Sequence, residues 1–158
     1  MADATILDRG RFYEDFEVNA EFRHWPGRTI SEADNTWFTL LTMNTHPLHF
    51  DVQYAAGTVF GRPIVNSCLT FSIVAGMSVR DISQNAIANL GFDTIEIPAP
   101  LFNGDTLYAS TVILDKRLSR SDPSRGIVKV RTTGVNQYGQ EVLRLQRSIL
   151  VPVRSAEG

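Results

Sequence analysis

Only one of the 158 residues, Cys68, is a cysteine. Neither an internal disulfide nor a zinc site built from several thiolates is therefore available. No run of about eighteen apolar residues occurs, so no segment reads as a membrane-spanning helix. A basic surplus is also missing. Fifteen Lys and Arg stand against seventeen Asp and Glu, a formal charge of −2, and nothing resembles the basic stripe that grips nucleic acid. The opening Met-Ala-Asp-Ala-Thr-Ile-Leu-Asp lacks a basic region leading into an apolar core, so no export signal is expected and a cytoplasmic location is. Histidine is scarce: His24, His46 and His49 are all there are.

What is present is ordinary globular material, 43% apolar and 20% charged. That composition excludes wholesale disorder, a coiled coil and a collagen-like fibre. The length fits a single domain, 1–158, with an ordered core over about 11–154. The first ten residues and Ser155–Gly158 read as loose ends. A domain this small has a modest core that a large pocket would consume. Any pocket is expected at a subunit interface.

The chain changes character partway along. Its first half reads as loops and helices. Ser31-Glu-Ala-Asp34 fits a capping box, and Trp37, Phe38, Leu40, Leu41 and Met43 follow at helical spacing, with a stop near Asn44. Asp51 can cap a short helix through Tyr54-Ala-Ala56 that ends at Gly57. Val65–Val79 reads as a longer helix capped by Asn66 or Ser67. Apolar residues fall on most of its sides, which predicts burial all round, with Cys68 an inert thiol packed inside. The second half reads as strands: Ala88–Ile97, then Leu107–Leu114, Gly126–Val135 and Glu141–Val153. Turns are expected at Asn103-Gly104-Asp105 and Asn136-Gln-Tyr-Gly139, and a polar loop over 120–125. Successive hairpins predict antiparallel pairing. An α+β architecture, a long antiparallel sheet curled around one central helix, accounts for the pattern.

The densest polar cluster is Asn44-Thr-His46-Pro-Leu-His49-Phe-Asp51. Pro47 breaks the helix on which His46 and His49 would share a face, and no cysteine joins them, so no metal is expected. Proton transfer needs a group that titrates near neutrality and a polar neighbour to hold water, and this loop supplies both. Its other reading is a loop tied down by His49 and Asp51. Phe60-Gly-Arg-Pro-Ile-Val-Asn-Ser67 leads into the long helix, whose first N–H groups are unpaired and partially positive. There a developing oxyanion could be stabilised; the other reading is a simply capped helix. His24 reads as structural. Lys116, Arg117 and Arg120 form a basic cluster that reads as a solvated face or a phosphate contact.

These segments, in this order, resemble the MaoC-like dehydratases, which include the (R)-specific enoyl-CoA hydratases. The family pattern runs Gly-Asp-x-Asn-Pro-Leu-His-x-Asp, then an Ala-containing helix, then Phe-Gly-x-Pro-Ile-Val-His-Gly. Met43-Asn-Thr-His-Pro-Leu-His49-Phe-Asp51, Tyr54-Ala-Ala56 and Phe60-Gly-Arg-Pro-Ile-Val-Asn-Ser67 match it, and Gly27–Asp34 and Phe102–Leu107 match the flanking parts. The resemblance covers about Arg11 to Arg154. It implies the hot-dog fold, a homodimer or higher homo-oligomer with acyl-CoA sites near the interface, and no cofactor beyond the CoA thioester that is substrate. It also implies the activity, reversible addition of water to a trans-2-enoyl-CoA. His49 matches the catalytic histidine and Asp51 the carboxylate that follows it. Asn44 stands at the catalytic aspartate position, His46 at the family's Asn, and Asn66-Ser67 at its His-Gly. An amide can orient water but cannot take its proton. Three readings follow. His49 is the sole acid/base with Asn44 placing water; His46 shares the proton transfers with His49; or the site only binds. The departures resemble a branch acting on short, branched or carboxylated substrates such as mesaconyl-CoA, itaconyl-CoA or methylmalyl-CoA. A thioesterase on the same fold and a non-catalytic acyl-CoA-binding subunit are the alternatives.

Overall fold

The structure, a computed structural model, describes residues 10–154. The expected loose ends, apart from Gly10, lie outside the described residues. In chain order the elements are β1 (Glu21–Thr29), α1 (Glu32–Leu41), α2 (Val52–Ala56), α3 (Ser67–Met77), β2 (Ala88–Glu96), β3 (Thr106–Leu118), β4 (Arg125–Val135) and β5 (Glu141–Pro152). Single helical turns at Tyr13–Asp15, Pro47–His49 and Val79–Ser83 join them.

The five strands form one antiparallel sheet in the order β1-β3-β4-β5-β2. β3, β4 and β5 are a meander, as the hairpin signals predict, and Asn136 ties the last turn by accepting from the Tyr138 and Gln140 N–H groups. The Asn103-Gly104-Asp105 turn behaves differently. It precedes β3, but β2 does not pair with β3. It crosses to the far edge and pairs with β5. One further strand, β1, comes from the half of the chain that read as loops and helices; its ladder with β3 shifts register between His24 and Arg28.

α3 lies on the face of the sheet that carries Leu107, Ala109, Val142, Leu143 and Leu145. Strand alternation puts Leu107 with Ala109, and Leu143 with Leu145, on one side; the adjacent Val142 joins them at the register shift where Gly134 and Val135 face Leu143 and Glu141. The approach is close at Gly134, where a Cβ would stand 2.6 Å from Val74. α3 is not buried all round. Leu69, Thr70 and Val74 are buried, while Ser67, Cys68, Ser72 and Gly76 are exposed. Cys68 is thus a surface thiol rather than a packed one: the apolar side chains around the helix outnumber what one sheet face can cover. The second helix to differ is α1. Its buried residues are Asn35 and Thr39, and Trp37, Leu40 and Leu41 face outward.

A polar belt divides the core into two apolar clusters. On one side lie Leu143, Leu145 and Val74, on the other Phe16, Ile82, Ile149 and Val151. Within the belt the buried His24 bonds Asp81 through Nδ1 at 2.8 Å and Thr111 through Nε2 at 2.7 Å. Thr111 bonds Thr132 at 2.8 Å. Arg147 donates to Ser78 and Ser83 at 2.9 and 3.2 Å, and burial pushes its guanidinium below the ordinary value. Together these bonds pin the end of α3 and the turn after it to the sheet, so α3 has a fixed direction. His24 is wholly occupied there. Lys116 of the basic cluster is held over the Tyr13 ring at 4.7 Å.

Candidate active site

The site forms where the segment after α1 meets the start of α3. α1 begins with the expected capping box: Ser31 accepts from the Asp34 N–H, and the Asp34 carboxylate accepts from the Ser31 N–H. Beyond its last residue, Leu41, and the cap Thr42 comes Met43, a non-glycine residue in the left-handed region at φ 58°. That turn swings the chain into the histidine loop. Asn44 Oδ1 accepts from the His46 N–H at 3.0 Å, which fixes the start of the loop and leaves the Asn44 NH₂ uncommitted among the described residues.

The two histidines are held differently. His46 Nδ1 accepts from the Leu48 N–H at 3.2 Å and caps the turn Pro47–His49. His49 Nδ1 lies 3.1 Å from the Ile64 carbonyl oxygen. A carbonyl only accepts, so His49 Nδ1 carries the proton and Nε2 keeps its lone pair in the neutral ring. The ring centroids are 6.1 Å apart, edge to face, and the Tyr54 ring of α2 stands 5.9 Å from that of His46, also edge to face. Asp51 does not enter this group. Its carboxylate accepts from the Tyr54 N–H at 2.9 Å and caps α2, which ends at Gly57 as the sequence predicts.

The segment on which His49 leans leads directly into α3. Ile64 bridges Phe102, and Val65 donates to the Leu101 carbonyl at 2.7 Å. Arg62 stacks on the Phe102 ring at 4.0 Å. Asn66 caps α3: its Oδ1 accepts from the Cys68 N–H at 2.9 Å, and its Nδ2 donates to Thr39 at 3.2 Å. The buried Asn66 side chain is engaged at both its oxygen and its nitrogen and faces the protein. Ser67 is exposed, and no described residue accepts its backbone N–H. It opens on a mostly apolar cleft of about 230 Å³ lined by Phe60, Ile64, Thr70, Pro98 and Leu101. The cleft therefore offers a hydrogen-bond donor at a partially positive helix terminus, in an apolar setting that suits an acyl thioester.

Of the expected residues, the structure gathers Asn44, His46 and His49 in one loop and joins them through Ile64 to Ser67. Asp51 and Asn66 serve as helix caps. Asn35 and Thr39 went unnoticed in the sequence. Their signal is two polar residues four apart on one helix face, obscured by the apolar residues beside them. Among the described residues no group of three His, Cys, Asp or Glu side chains is arranged to hold a metal ion.

Comparison with known proteins identifies the family. The profile of the MaoC like domain matches residues 15–136. A beta-methylmalyl-CoA dehydratase of Chloroflexus aurantiacus is 36% identical over 145 residues, 92% of this chain and 41% of its own length. A mesaconyl-CoA hydratase of Cereibacter sphaeroides is 34% identical over 145 residues, again 92% of this chain and 42% of its own. The chain thus spans about two fifths of the length of these curated relatives. A crystal structure of a MaoC domain protein dehydratase from Chloroflexus aurantiacus superposes with a TM-score of 0.90 at 34% identity, over 96% of this chain and 43% of that one. A Mycobacterium tuberculosis protein described as a double hotdog fold superposes at 0.84 and 22% identity, over 95% and 46% of the two chains, and fixes the name of the architecture. By sequence profile and by fold, the chain belongs to the MaoC-like domain family.

Proposed function

We propose that this chain adds water to the double bond of a trans-2-enoyl-CoA and catalyses the reverse dehydration, with His49 as the principal acid/base. The observation that carries the reading is the 3.1 Å bond from His49 Nδ1 to the Ile64 carbonyl, which leaves Nε2 as the free basic atom. In the hydration direction Nε2 takes a proton from water as the oxygen bonds to C3. The alkene electrons move to the thioester oxygen, where the Ser67 N–H stabilises the enolate. Collapse of the enolate takes the proton back from His49 to C2. The uncommitted Asn44 NH₂ orients the water. His46 supplies an Nε2–H donor rather than a second base, because its Nδ1 is occupied by the Leu48 N–H. The two relatives named for methylmalyl-CoA and mesaconyl-CoA support a short, branched or carboxylated acyl group. Among the described residues no helix is long and apolar enough to cross a membrane, and the cytoplasm is the proposed location.

The same reading includes a homodimer. β2 lies at an edge of the sheet and all nine of its residues are exposed, Leu90, Phe92 and Ile95 among them. An unprotected apolar edge strand invites a further strand, and a second copy laid along it would also reach the exposed side of α3, since Phe71 of α3 touches Phe92 of β2. Sedimentation at equilibrium is expected to give twice the chain mass.

The test is a spectrophotometric screen of crotonyl-, mesaconyl- and itaconyl-CoA, with free thiol followed in parallel. Loss of the enoyl absorbance without thiol release, abolished in a folded His49→Ala variant, is the expected result. Thiol release would make the chain a thioesterase, and full activity in the variant would remove His49 from the mechanism. One observation favours a second reading, a non-catalytic acyl-CoA binder: the loop has no free carboxylate, since Asn44 is neutral and Asp51 caps α2. Tight binding without turnover across the panel would support it.

A further inference from the structure

Asn35 is fully buried on the inner face of α1. Its Nδ2 donates to the His49 carbonyl at 2.9 Å and to the Ile64 carbonyl at 3.0 Å, and its Oδ1 accepts from the Asn66 N–H at 2.9 Å. One side chain thus joins three segments: the histidine loop, the strand-like stretch before α3, and the cap of α3. A position there that needed only to be filled would take an apolar residue, because a buried amide is costly unless its hydrogen bonds are made. All three partners are backbone groups of the residues that set the site's geometry. The Ile64 carbonyl is shared, receiving both Asn35 Nδ2 and His49 Nδ1. That oxygen is the acceptor that selects the His49 tautomer. Its own orientation rests on the amide beside it.

We propose that Asn35 is a positioning residue for the hydration reaction: it sets the spacing between the His49 imidazole and the first turn of α3, and it aims the Ile64 carbonyl that keeps the proton on His49 Nδ1. The proposal rests on the reading of His49 as the acid/base. Groups one shell removed from a reacting histidine act in this way, by fixing its tautomer and orientation. Thr39 backs the arrangement through its bond from the Asn66 amide. The charged groups nearby leave the arrangement to hydrogen bonding. Asp51 is spent on α2, and the only histidine ion pair among the described residues is His24–Asp81.

Two variants test it in the full chain. Asn35→Asp keeps the volume and the acceptor for Asn66 but replaces the shared donor. Asn35→Ala removes all three bonds. Folding is first checked by circular dichroism, and each rate is expressed per folded enzyme. The expected result is a fall in kcat of about tenfold to a hundredfold, with KM within about twofold of wild type because Asn35 itself does not line the acyl cleft. Imidazole ¹⁵N NMR supplies a readout that needs no turnover: wild type is expected to show His49 protonated at Nδ1, and the variants a shift toward the Nε2–H form. Wild-type kcat together with an unchanged tautomer in either folded variant overturns the proposal. Loss of fold in both variants also overturns it, since Asn35 would then serve stability alone. Absence of wild-type turnover on every thioester would defeat the hydratase reading, and the NMR comparison would still decide whether Asn35 positions His49.

Discussion

His46 and His49 sit edge to face, 6.1 Å apart, with opposite partners on the same ring atom: Nδ1 of His46 accepts from the Leu48 N–H, whereas Nδ1 of His49 donates to the Ile64 carbonyl. The two neutral rings therefore present opposite chemistry at Nε2, an N–H donor on His46 and a lone pair on His49. His46 stands where the family pattern has asparagine, and it does what asparagine does at the start of a turn, accepting from the backbone two residues on.

That equivalence is testable by substitution. His46→Ala removes the cap of the Pro47–His49 turn and is expected to cost about 1 kcal/mol of stability. His46→Asn restores a side-chain acceptor and is expected to return most of that loss in a urea titration. If His46 carries an essential proton, His46→Asn will instead be as inactive as His49→Ala while remaining as stable as wild type.

Acid should loosen the scaffold of the site from α1. The Ser31 N–H, the Ser31 hydroxyl and the Arg28 guanidinium hold the Asp34 carboxyl below the usual carboxylate range. A depressed carboxyl contributes stability that is present above its unfolded value, about pH 4, and is lost as pH falls through the lower folded value. Asp34→Ala is therefore expected to be less stable than wild type by about 1 kcal/mol at neutral pH. The gap should close as the pH is lowered below about 4. Thermal melts across that range measure it, and a gap that is constant with pH would show that the carboxylate charge plays no part.

Met43 offers a gain rather than a loss. It holds φ 58° and is 86% exposed, so its side chain contributes little packing while its backbone is in the region that penalises a Cβ. The family pattern has glycine there. Met43→Gly is expected to stabilise the fold by about 1 kcal/mol, raising Tm by about 3 °C, with hydratase activity unchanged. A lowered Tm in differential scanning calorimetry would mean that the exposed Met43 side chain makes a contact in the assembled protein that the single chain does not contain.

The site and fold were unequally legible in the sequence. The caps at Ser31, Asp51 and Asn66 were readable because each is a local bond between residues two or three apart. The inward faces of β3 and β5 were readable because alternation has a period of two. Three features were not, each for a non-local reason. β2 pairs with β5 between residues fifty or more positions apart, such as Ile95 with Leu145 and Ala88 with Leu150, and no turn signal encodes that crossing. α1 turns Asn35 and Thr39 inward because their partners are Ile64, His49 and Asn66, which lie on other segments. Cys68 is exposed because a single sheet covers only one side of an otherwise apolar helix.

Asn44 is where chemistry and ancestry can be separated. Its Oδ1 holds the His46 N–H, and an aspartate at this position keeps that acceptor, so Asn44→Asp is expected to fold with an unchanged Tm. What the substitution adds is a carboxylate that can take a proton, beside a loop whose only free base is His49. If position 44 is the family's acid/base position, turnover of simple enoyl thioesters such as crotonyl-CoA should rise by about tenfold, the low end of what a positioned base supplies. Activity on a carboxylated thioester should rise less or fall, because the new charge repels the substrate's own carboxylate. The ratio of kcat/KM on crotonyl-CoA to that on mesaconyl-CoA is therefore the informative measurement. An equal change on both would mean that position 44 serves only to hold the loop, and the water would have to be oriented by His46 Nε2–H instead.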